Sequence, residues 1–193
     1  MSNEIVFDIE TIGDITDLTT MEITVVSIYE YEKDAYSSFE RHELGKLWPI
    51  LEKATCLIGY NSDHFDIPIL NRYYPGDLLT FPSLDLLKVI KDSIGRRLRL
   101  NDVAEATLDI TKSADGLQAM KWWKEGKIDE IKKYCEQDVK VTKEVYEFGK
   151  NNKQLFYKNL TGEVLPFAVN FDFPNIGKEN TNTKKNINLT LPF

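Results

Sequence analysis

A short apolar run, Ile5-Val6-Phe7, ends directly in two carboxylates, Asp8 and Glu10, and that junction constrains the fold more than any other part of the chain. The run reads as a buried strand. Side chains alternate faces along a strand, so positions 8 and 10 point the same way. Two further acidic positions stand far along the chain. Asp66 ends the segment GYNSDHFD, and Asp138 ends YCEQD, four residues after Tyr134. Tyr134 and Asp138 lie in a helical stretch, and that spacing puts them on one helix face. Carboxylates gathered from distant segments repel one another unless a cation lies between them. Hard divalent ions such as Mg²⁺ or Mn²⁺ prefer such oxygen ligands. The chemistry this set invites is two-metal phosphodiester hydrolysis.

Each piece alone has a plainer reading. An Asp-x-Glu at a strand end is often a solvated edge, and Tyr134 with Asp138 suits any amphipathic helix. Asp66 before Ile67-Pro68 suits a helix N-cap, because Asp caps well and Pro is tolerated in the first turn. The specificity lies in the ordered set: Asp8-Ile9-Glu10, then Asn61-Ser62-Asp63-His64-Phe65-Asp66, then Tyr134-Cys135-Glu136-Gln137-Asp138.

That set resembles the tyrosine-type DEDD 3′–5′ exonucleases of the ribonuclease H-like superfamily, and among them the proofreading domain of family B DNA polymerases. GYNSDHFDIPIL (59–70) and LNDVAEATL (100–108) are similar to strings of that domain, and the resemblance covers roughly residues 4–150. It implies two divalent metal ions, Mg²⁺ or Mn²⁺, with Asp8 bridging them, Glu10 and Asp138 completing the first site and Asp66 holding the second. Tyr134 would orient the attacking water. Asn61 and Phe65 match positions that contact the terminal nucleotide, and Thr11 the position where the backbone meets its 3′ hydroxyl. The implied activity is 3′–5′ exonucleolytic hydrolysis of single-stranded nucleic acid, DNA by analogy with proofreading. RNA 3′-end trimming is the near alternative. A non-catalytic adaptor on the same fold is the alternative of another class, and the intact acidic set argues against it.

The order of elements fits this fold class. Residues 4–9, 23–31 and 35–41 read as consecutive strands. Residues 43–53 read as a helix, with Leu44, Leu47, Trp48 and Leu51 on one face. A short apolar strand over 55–60 delivers the second motif. Residues 65–73, 83–94, 100–108 and 128–150 read as helical. The expectation is an α/β fold, a mixed sheet with helices on both faces. A hairpin is expected over 154–170, around Leu160-Thr161-Gly162-Glu163, as an appendage that covers a sheet edge or shapes the substrate groove. Residues 1–172 are read as the exonuclease domain and 173–193 as a polar, disordered tail.

The net charge of −7 counts against a broad nucleic-acid surface. An enzyme that engages a few nucleotides at one end does not need one. Lys88, Lys91, Arg96, Arg97 and Arg99 form a basic stretch, read equally as phosphate contacts, Arg96 and Arg97 foremost, or as a solvated helix and loop. Trp122-Trp123 reads as core in preference to a base-stacking platform. Cys56 and Cys135 read as reduced thiols outside any zinc pattern. No stretch reaches membrane-spanning length, and the expected location is cytoplasmic, nucleoid-associated in a bacterium. The tail ends in Asn188-Leu189-Thr190-Leu191-Pro192-Phe193, which is similar to the short peptides that dock bacterial replication and repair proteins on the sliding clamp. Leu189, Leu191 and Phe193 would be the anchors.

Overall fold

The structure, a computed structural model, describes residues 3–110 and 116–172. The proposed docking anchors Leu189, Leu191 and Phe193 lie outside the described residues.

The strand read from Ile5-Val6-Phe7 is β1 (Glu4–Ile12), and it lies in the middle of the main sheet. On one side it pairs antiparallel with β2 (Glu22–Glu30), which pairs antiparallel with β3 (Ala35–Glu40). On the other side it pairs parallel with β4 (Cys56–Gly59), which pairs parallel with β5 (Ser83–Asp85). The sheet order is β3-β2-β1-β4-β5 among the described residues.

Strand alternation sorts the core into two layers. Ile5, Phe7 and Ile9 face α1 (Leu44–Leu51) and α2 (Asp66–Asn71), where Leu44, Leu47, Leu51, Ile67 and Leu70 are buried. Val6 faces the opposite way, toward α3 (Leu86–Ile94), α4 (Leu100–Leu108) and α6 (Ile128–Asn152). There Leu86, Ile90, Val103, Val139 and Val145 are buried, and α5 (Gly116–Lys124) precedes α6. Each such aliphatic side chain contributes about 1.5–3 kcal/mol on burial. With apolar residues spent on both faces, Asp8 and Glu10 share the Val6 face, beneath α6. The foot of α6 is fastened to the start of β1, where Tyr146 donates to Glu4 at 3.0 Å and Lys150 Nζ at 3.0 Å.

One expected helix begins later than its sequence suggests. Residues 83–85, expected to be helical, form β5, pairing Leu57, Ile58 and Gly59 with Ser83, Leu84 and Asp85. The Asp85 side chain then accepts from the Leu87 N–H at 2.9 Å and starts α3. Pairing with a buried neighbouring strand outweighs helix propensity over three residues.

The hairpin is present as β6 (Gln154–Lys158) and β7 (Val164–Ala168), a separate two-stranded sheet. Among the described residues it pairs with no strand of the main sheet and packs on α3, α4 and α6. Thr107 Oγ1 of α4 accepts from the Phe156 N–H at 3.0 Å, and Ser93 Oγ of α3 donates to the Ala168 carbonyl at 2.6 Å. Phe171 beyond it is buried against Gly149 of α6, where an added Cβ would overlap the ring. No helix among the described residues is long and apolar enough to cross a membrane.

Candidate active site

Three elements deliver the carboxylates. β1 supplies Asp8 and Glu10 from one face, just before a register shift between Glu10 and Thr11. The Thr24 hydroxyl donates to the Glu10 carbonyl at 2.9 Å and steadies that irregularity. α6 supplies Tyr134 and Asp138 one turn apart. One carboxylate oxygen from each of Asp8, Glu10 and Asp138 lies within 4.8 Å of the other two. Asp66, the first residue of α2, is 5% exposed, and its Oδ1 accepts from the Ile9 N–H at 3.3 Å. That bond ties the second motif to the strand residue between the first two acids.

The electrostatics are unfavourable as they stand. Burial, then Asp66, Asp138 and Glu10, push the Asp8 carboxyl well above the usual range, with the Cys135 thiol opposing slightly. Burial, then Asp138 and Asp66, raise Glu10 to about 8. Burial raises Asp66 to about 7 against hydrogen bonds from its own and the Ile9 backbone, and raises Asp138 to about 6 against a hydrogen bond from Tyr134. Among the described residues, no Lys or Arg pairs with any of the four. Buried like charges without a counter-ion cost free energy that a bound cation would recover. The donor set is all oxygen, with ligand atoms close together, which fits a hard divalent ion such as Mg²⁺ or Mn²⁺.

Two residues beside this centre had no assigned part in the sequence reading. Cys135 is fully buried, with Sγ 3.4 Å from the Asp8 carbonyl and 3.6 Å from its Oδ2. Trp122 of α5 packs edge-on against Tyr134, with ring centroids 6.1 Å apart, and both tryptophans pack on the Val25, Ile131 and Cys135 cluster. Core packing of Trp122-Trp123 is therefore what the fold uses, and Trp122 buttresses the tyrosine.

The second motif is a tight loop. A Cβ on Gly59 would stand 2.5 Å from the Ser62 Cβ, so only glycine lets the chain turn there. Asn61 has φ +65°, a left-handed conformation that Asn tolerates. Its N–H donates to Asp85 Oδ1 at 2.8 Å, the Asp63 N–H donates to Asp85 Oδ2 at 3.2 Å, and Arg97 Nη2 donates to Asn61 Oδ1 at 2.6 Å. Asp85 thus braces the loop. Its signal, an Asp directly ahead of Leu86-Leu87, was an N-cap pattern placed inside an expected helix. Phe65 is half-buried at the margin of the α1–α2 layer, and Thr11 is half-buried just past the register shift. Arg96 and Arg97 diverge: Arg96 lies over the Tyr157 ring of the hairpin at 4.6 Å, and Arg97 turns to Asn61.

No curated protein matches the sequence. Among solved structures, the chain is similar to the family B DNA polymerase from the hyperthermophilic archaeon Pyrobaculum calidifontis. The TM-score is 0.61 at 16% identity, over 77% of this chain and 24% of the polymerase. A likeness at that identity speaks to the fold, and the chain spans about a quarter of the polymerase's length. The family model described as the RNase_H superfamily matches residues 5–148, which contain all three motifs. With that match covering most of its length, the chain belongs to the RNase_H superfamily.

Proposed function

We propose that the chain is a metal-dependent 3′–5′ exonuclease acting on single-stranded nucleic acid, DNA in preference to RNA. The observation that carries this reading is the meeting of Asp8, Glu10, Asp66 and Asp138 from three elements, with no lysine or arginine paired to them among the described residues. The superfamily consists in general of nucleases, which supports the reaction class. Asp8, Glu10 and Asp138 would hold one divalent ion, and Asp8 with Asp66 would hold a second. Bound divalent ions supply activation of the attacking water and stabilisation of charge on the phosphate and the leaving 3′ oxygen.

The chain's own residues do the rest. Tyr134 has its hydroxyl pushed upward by burial, then by Asp138, Glu10 and Asp8, so it stays a hydrogen-bond donor at neutral pH. Its part is to orient the attacking water, with Trp122 holding the ring. Asn61 and Phe65 receive the terminal nucleotide, Asn61 from a backbone already set in its turn. Thr11 offers its backbone to the 3′ hydroxyl.

Incubation of 5′-labelled single-stranded DNA and RNA of one sequence with Mg²⁺, Mn²⁺ or EDTA tests the proposal, with Asp8→Ala protein alongside. The expected result is a metal-dependent ladder shortening from the 3′ end, faster on DNA and missing in the variant. Internal cuts, a ladder in EDTA, or full activity in Asp8→Ala would each overturn it.

A further inference from the structure

We infer that the cleft between the second-motif loop and α3 binds an internucleotide phosphate of the strand, upstream of the scissile bond; this rests on the exonuclease reading of the neighbouring site. The cleft has a volume of about 300 Å³ and is lined by Asn61, His64, Lys88, Lys91 and Arg97 together with acidic Asp63 and Asp85. Its charges are not equally committed. Asp85 is buried and accepts backbone N–H groups from Asn61, Asp63, Leu87 and Lys88. Asp63 accepts from the Ser83 hydroxyl at 2.7 Å and pairs with Lys88 at 3.5 Å, a long contact. Among the described residues Arg97 hydrogen-bonds only the neutral Asn61 oxygen and makes no ion pair, so its charge and remaining donors stay available there. Lys91 is exposed and makes no ion pair among the described residues.

A guanidinium fork beside a lysine ammonium suits a phosphate diester. Position supplies the rest. Asn61 belongs both to this cleft and to the loop that ends in Asp66 at the carboxylate centre. A strand whose terminal nucleotide meets the carboxylates therefore has its preceding backbone beside Lys91 and Arg97. The basic stretch divides accordingly: Lys88, Lys91 and Arg97 serve the strand, and Arg96 serves the hairpin through Tyr157.

The test is fluorescence anisotropy with 5′-labelled hexanucleotides, each carrying one uncharged methylphosphonate linkage at a successive position from the 3′ end. Ca²⁺ is supplied as the divalent ion. Wild-type protein should lose affinity severalfold when one particular linkage is neutralised. Lys91→Ala should bind the unmodified strand severalfold more weakly and be insensitive to neutralising that same linkage. Its plot of log affinity against log salt should be shallower by about 0.7, the loss of one single-strand phosphate contact. Lys91→Arg should restore both. Absent wild-type binding, an unchanged salt slope in Lys91→Ala, or equal linkage profiles in both proteins would overturn the inference. A separate 3′-release assay with Mg²⁺ or Mn²⁺ keeps the two readings apart. Release from the 3′ end with Lys91→Ala unaltered in binding removes the cleft alone, and the linkage pattern without release removes the exonuclease alone.

Discussion

β1 and α6 meet at two places, and the two treat carboxylates in opposite ways. At the start of β1, Glu4 accepts from the Tyr146 hydroxyl at 3.0 Å and from Lys150 Nζ at 3.0 and 3.2 Å. Four residues further along the same strand, Asp8 faces Glu10, Asp66 and Asp138, and the donors to this group among the described residues are neutral: the Cys135 thiol, the Ile9 N–H and the Tyr134 hydroxyl. The same pair of elements thus supplies a compensated acid at one end and an uncompensated cluster at the other. Glu4 is a fastening. The cluster is a candidate metal site whose unpaired buried charges cost stability, which is the usual trade between stability and a poised site.

Predictions that would sharpen or break this contrast run from large to small. Asp8→Asn should lower metal-dependent hydrolysis by about a thousandfold or more, while raising the melting temperature of the metal-free protein. A fall in that temperature would mean Asp8 is structural, like Glu4. Tyr134→Phe should lower kcat about a hundredfold with metal affinity nearly unchanged, read from turnover against Mn²⁺ concentration.

The third expectation concerns pH. Carboxyls that titrate near 4 in the unfolded chain are raised to about 6 to 8 for Asp138, Asp66 and Glu10 in the folded one. The folded state therefore holds protons that the unfolded state has released. The stability these groups lend is full below about pH 4 and is lost as pH rises toward 8. Thermal melts in EDTA should show this decline, and Mg²⁺ or Mn²⁺ should cancel it with an effect that grows with pH. Melts in which metal shifts stability equally at every pH would count against the uncompensated cluster. Smallest is Glu4→Gln, which should cost about 1–2 kcal/mol in urea unfolding and leave kcat within about twofold.

The acidic site was largely readable because its signals are local. Asp8 and Glu10 share a face through strand alternation, and Tyr134 and Asp138 through helix periodicity. Neither depends on knowing the partner element. Asp85 was hidden for the opposite reason. Ser83-Leu84-Asp85 is too short a run to declare itself a strand, and becomes one only by pairing with Leu57–Gly59. The hairpin's strands were legible, but its seat was not. Thr107, Ser93 and Gly149 accept it through contacts dozens of residues away or with no side chain at all.

The sequence by itself determined the elements that carry the acids, the faces on which those acids stand, and the kind of ion they suit. Only the tertiary structure decided which charges stay unpaired. Arg96 and Arg97 are adjacent and identical in kind, yet one lies over the Tyr157 ring and the other makes a single contact with the neutral Asn61 oxygen. Glu4 and Asp8 lie on one strand, yet among the described residues only Glu4 meets a lysine. Periodicity is encoded within a few residues of chain. Compensation of charge depends on what another segment brings within hydrogen-bonding distance, and packing alone sets that.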